Sequence, residues 1–71
     1  MDIGEIKMKA LTSSREEWAL LCAKIAKQYK NKPPYVVDEL TNKLTDLKNP
    51  NNYWFNRYIN DLIGAILDAR N

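Results

Sequence analysis

The sequence predicts an all-α domain made of three helices, 14–30, 35–48 and 50–70, behind a short N-terminal segment, 1–12. Three observations predict it. Apolar residues recur every three to four positions along most of the chain, the spacing of a helix face. Helix punctuation stands where those stretches begin or end: Ser14 with Glu17, Pro33-Pro34 and Asn49-Pro50. With 45% hydrophobic residues and two glycines, the composition is that of an ordered chain.

The first helix, 14–30, opens on a capping-box pattern, in which the Ser14 hydroxyl and the Glu17 carboxylate each satisfy a free backbone N–H. At about 100° per residue, Trp18, Leu21, Cys22, Ile25, Ala26 and Tyr29 fall on one face. Glu16 and Glu17 stand in its first turn and Lys24, Lys27 and Lys30 in its last turns, matching the helix dipole. Pro33-Pro34 ends it, because neither proline donates to a preceding carbonyl. The second helix, 35–48, carries a narrow stripe of Val36, Val37, Leu40, Leu44 and Leu47. For the third, Asn49 suits the N-cap and Pro50 the first position, so a tight joint makes the second and third helices antiparallel neighbours. That helix runs to about Arg70, roughly 30 Å at ~1.5 Å per residue.

Residues 1–12 read two ways. Ile-Lys-Met-Lys-Ala alternates as a strand does, while Ile3, Ile6 and Ala10 suit a helix turn. A strand here has nothing to pair with in the chain, so it would pair with the same strand of a second copy.

The four aromatics of Asn-Asn-Tyr-Trp-Phe-Asn-Arg-Tyr, residues 51–58, separate on a helical wheel. Phe55, Tyr58, Ile59, Leu62, Ile63, Ile66 and Ala69 share one broad face, with Trp54 and Ala65 on its flank. Trp54, Phe55 and Tyr58 are therefore expected in the core or at its edge. This face covers about half the cylinder, wider than the ~100° stripe of an ordinary surface helix, so it serves two neighbours. Tyr53, Leu67 and, on the first helix, Leu20 fall outside the apolar faces.

At 71 residues the chain is one domain, 1–71, close to the size at which a lone core is marginal. Cys22 is the only cysteine and histidine is absent, which leaves no intrachain disulfide and no usual zinc ligand set. No metal or other cofactor is expected. Helix packing or oligomerisation must supply the rest, and a homodimer is the expectation. Eleven basic against nine acidic residues, net +2, is too mild to mark a nucleic-acid binder by itself. No signal peptide and no membrane-length apolar run is visible, so a cytoplasmic location and no membrane partner are expected.

Catalysis is not expected. No histidine base, nucleophile elbow or phosphate-cradling glycine loop is present, and no catalytic residue or small-molecule substrate is assigned. Asp61 and Asp68 share the polar side of the third helix beside Arg57, without a cleft. Cys22, on a core face, reads as an inert thiol. The surplus apolar face points instead to a small non-enzymatic protein-interaction module: an adaptor, an inhibitor or a regulatory subunit. Its expected contact residues are Tyr53, Arg57, Leu67 and Leu20, with Tyr53 and Arg57 as anchors, since interface anchors are typically aromatic or arginine.

The alternative is a DNA-binding regulator. Lys24, Lys27, Lys30 and Lys32 form a run without acids, and on a strand Lys7 and Lys9 would share one face. Strand, helix, turn and helix over residues 5–48 is similar to the ribbon-helix-helix layout, whose intermolecular ribbon enters the major groove. That resemblance implies a dimer using Lys7 and Lys9 on the bases, with Lys24, Lys27 and Lys30 on the backbone. The chain departs from the layout at Asn31-Lys32-Pro33-Pro34, where a glycine and small hydroxyls are usual, and in its long third helix.

Overall fold

Four helices, not three, make up the chain in the computed structural model, which describes residues 2–70: α1 (Ile3–Thr12), α2 (Arg15–Tyr29), α3 (Pro34–Leu47) and α4 (Tyr53–Arg70). No strand occurs among the described residues. Met1, the first residue of the expected N-terminal segment, lies outside them.

The strand reading of residues 5–10 is corrected to a helix. Ile6 and Ala10 lie four apart and are both buried, so they satisfy a period of two and a period of four alike. Met8 separates the two: on a strand it would share their face, whereas here it is 60% exposed. Asp2 starts the helix by accepting from the Glu5 backbone N–H at 2.9 Å, and Glu, Lys, Met, Ala and Leu favour its propagation.

α2 begins as its capping box requires. The Ser14 hydroxyl accepts from the Glu17 N–H at 3.2 Å and the Glu17 carboxylate accepts from the Ser14 N–H at 3.1 Å. These bonds hold the Glu17 carboxyl below its usual range, the backbone bond from Ser14 most of all. α3 opens on Pro34 without a side-chain cap.

The start of α4 differs from the expectation of Asn49 as cap and Pro50 as first residue. Asn49 to Asn52 form a turn closed by Asn52 N–H to Asn49 O at 3.1 Å. The cap is Asn52, whose side chain accepts from the Phe55 N–H at 3.1 Å. Asn49 is tied instead to Asn56, donating its N–H to Oδ1 at 2.8 Å and accepting from Nδ2 at 2.6 Å. A stretch with four asparagines offers several capping registers, and this pair of bonds selects the later one.

α4 is the axis of the molecule and packs against α2, α3 and α1, while α1 also touches α3. Its buried residues Phe55, Ile59, Leu62 and Ile66 meet Trp18, Cys22, Ile25 and Ala26 of α2, Val37, Leu40 and Leu44 of α3, and Ile6 and Ala10 of α1 in one core. The breadth of its apolar face is thus explained inside the chain, with α1 as the third neighbour. The Cα radius of gyration, 11.3 Å, matches the ~11 Å expected of a compact chain this long. No buried side-chain nitrogen or oxygen among the described residues lacks a hydrogen-bond partner. No helix of the described residues is long and apolar enough to cross a membrane.

Candidate interaction surface

α2 and α4 are clamped by one pair of side chains. The Trp18 ring stacks on Tyr58 with centroids 5.5 Å apart and planes 9° from parallel. The Trp18 indole N–H donates to the Tyr58 carbonyl at 2.8 Å. Trp18 stands beside Tyr58, and Ser13, just before α2, lies with Asn52 and Trp54 at the start of α4, so the two helices run in the same direction. Outside the clamp, Ala19 and Ala23 of α2 and Ala65 of α4 are too small to close the space between the helices. They leave a groove of about 430 Å³. Trp54, Arg57 and Arg15 rim one end, and Asp61 lies farther along.

Cys22 lies in the groove's floor, and burial first and the Asp61 carboxylate second push its thiol from 9.0 up to about 11. A thiol that stays protonated at neutral pH is a poor nucleophile.

The rim is built from the first turn of α4. Tyr53 is 60% and Trp54 58% exposed, and their rings lie 5.2 Å apart, tilted by 37°. The Arg57 guanidinium stands 5.9 Å from the Trp54 ring centre and donates to the Tyr53 hydroxyl at 3.3 Å. Cation–π contacts at exposed sites contribute about 0.5–1 kcal/mol, enough to bias these side chains toward one arrangement. A pre-ordered anchor loses less side-chain entropy when it is covered.

The expected contact residues do not form one surface. Tyr53 and Arg57 meet, one turn apart. Leu67 is exposed 14 residues beyond Tyr53, which along a helix is roughly 21 Å. Leu20 stands elsewhere, beside a shallow depression with Lys9, Leu21 and Lys24. Trp54, expected in the core or at its edge, is the residue the sequence reading misplaced. Its flank position falls at the start of α4, beside the Ser13–Ser14 break between α1 and α2, where no helix passes to cover it. Exposed Leu11 shares a second depression with it. Adjacency of tryptophan, tyrosine and arginine within one turn was the signal that would have found the cluster.

Lys7, Lys9, Lys24, Lys27 and Lys30 are all exposed. On α1, Lys7 and Lys9 are about 200° apart and do not share a face as they would on a strand. Lys9 instead lines one shallow depression at the α1–α2 corner with Lys24 and Glu17. The one ion pair among the described residues is Lys43–Glu39 at 3.1 Å, so Arg15, Arg57 and Asp61 are not ion-paired. No group of three or more metal-capable side chains occurs among the described residues. Comparison of the chain with protein-family models, curated proteins and solved structures found no match.

Proposed function

We propose that this chain is a small non-enzymatic protein-interaction module and that its contact surface is the Tyr53–Trp54–Arg57 rim with the α2–α4 groove. The observation that carries this reading is the Trp54 side chain, held out of a finished core between a tyrosine and an arginine. A small domain gains stability by burying its rings, since each removes ~150–250 Å² from water. Leaving one outside while alanines line the space beside it favours recognition over packing. Tryptophan, tyrosine and arginine are the residue types that dominate interface energetics. The protonated Cys22 thiol and the absence of histidine weigh against catalysis in the same groove.

The regulator reading loses its main support, because the segment meant to form the ribbon is α1 and its lysines diverge. The test of the interaction reading is site-specific photo-cross-linking in cells. A benzophenone amino acid replaces Tyr53 in one variant and Tyr35, exposed on the first turn of α3, in another. A discrete adduct is expected from position 53 and lost when Trp54→Ala and Arg57→Ala are added. Equal labelling from both positions contradicts the assignment.

A further inference from the structure

We propose that the α2–α4 groove is filled by a second copy of this chain, in a two-fold dimer that lays α4 antiparallel against α4 of the partner. The proposal rests on the groove being the contact surface argued above.

Charge gives the first reason. Arg57 and Asp61 lie one turn apart on one wall of the groove, both exposed and neither in an ion pair. A helix facing its own antiparallel copy meets its own pattern reversed. Arg57 then stands opposite the partner's Asp61, and Asp61 opposite the partner's Arg57. One register satisfies both, as an isologous contact must.

Shape gives the second reason, and it selects the same register. With Arg57 opposite the partner's Asp61, three residues earlier on one helix falls opposite three residues later on the other. Trp54 therefore comes level with the partner's Gly64 and, on the groove side, beside the partner's Ala65. The groove is bulky where Trp54 and Arg15 rim it and narrow-walled where Ala23 and Ala65 line it, so each copy's large end fits the other's small end.

Gly64 itself gives the third reason. Glycine disfavours a helix interior relative to alanine, and Gly64 sits well inside α4. A Cβ built there meets nothing within 4 Å, and no positive φ occurs among the described residues. Nothing inside the chain calls for glycine at this position. Close approach of a second backbone or a large ring does.

Sedimentation equilibrium on the full chain over a wide concentration range tests the proposal. The wild-type chain is expected to reach a dimer. Arg57→Glu and Asp61→Arg, each alone, set like charges opposite each other and are expected to weaken the dimer by about tenfold or more. Combining the two reverses every pair and is expected to recover most of the affinity. Gly64→Leu is expected to leave a monomer of unchanged helicity, because the monomer has room for the side chain. A wild-type chain that stays monomeric overturns the proposal, as does a dimer indifferent to the charge reversals. The two readings fail separately. A monomer whose Tyr53 photo-adduct holds a different protein removes the second copy and leaves the surface; a charge-indifferent dimer with no adduct at position 53 removes both.

Discussion

Trp18 and Trp54 show how one residue type takes opposite roles in this chain. Trp18 is 2% exposed, and its ring and N–H both engage Tyr58 of α4. Trp18→Phe keeps a ring in the core and deletes the bond, so it is expected to cost about 1–3 kcal/mol. A lower urea midpoint at unchanged slope checks this. Cys22 gives a pH signature. Its thiol titrates near 11 when folded against 9.0 ordinarily, so the folded chain holds the proton more tightly than the unfolded one. The stability from keeping it protonated is complete below 9.0 and is lost as pH rises through about 11. The urea midpoint should therefore fall over this range more steeply for the wild-type chain than for Cys22→Ala. Equal slopes would contradict the burial of the thiol.

At the scale of elements, the caps decide where helices begin. Asn52→Ala is expected to cost ~1 kcal/mol, the usual loss at an N-cap, while Asn49→Ala leaves that cap in place. Thermal unfolding of the two variants measures the difference. Gly64→Ala is expected to stabilise the monomer by up to ~1 kcal/mol through helix propensity while weakening self-association. The inward faces of α2, α3 and α4 were legible in the sequence because long amphipathic stretches repeat one period many times. Val37, Leu40 and Leu44 could hardly be read otherwise. α1 was legible only as one of two readings: ten residues hold few turns to separate a period of two from one of 3.6, and Ile3 and Met8 alone carry the distinction. The start of α4 was missed for another reason. Asn49, Asn51 and Asn52 compete for one role, and the outcome depends on Asn56, a contact the local pattern does not reveal.

At the scale of the whole molecule, α4 spends its apolar face on three neighbours, so the surface left over is not the broad face that the sequence emphasised. It is the rim at the helix's first turn. Tyr53 and Arg57 were singled out there by residue type, and the structure brings them together at that turn. Trp54 was not, because a helical wheel is blind to where neighbouring helices stop. The groove, too, is a tertiary feature: Ala19, Ala23 and Ala65 are unremarkable until Trp18 and Tyr58 fix the distance between their helices. The measurement that bears most directly on this account is iodide quenching of tryptophan fluorescence against protein concentration, in the wild-type chain and in Trp54→Phe. Trp18, alone in the variant, should resist iodide at every concentration. The wild-type chain should show an added, accessible component from Trp54 that disappears as concentration rises and the groove fills. A Trp54 component equally accessible at all concentrations, or a Trp18 open to iodide, would contradict it.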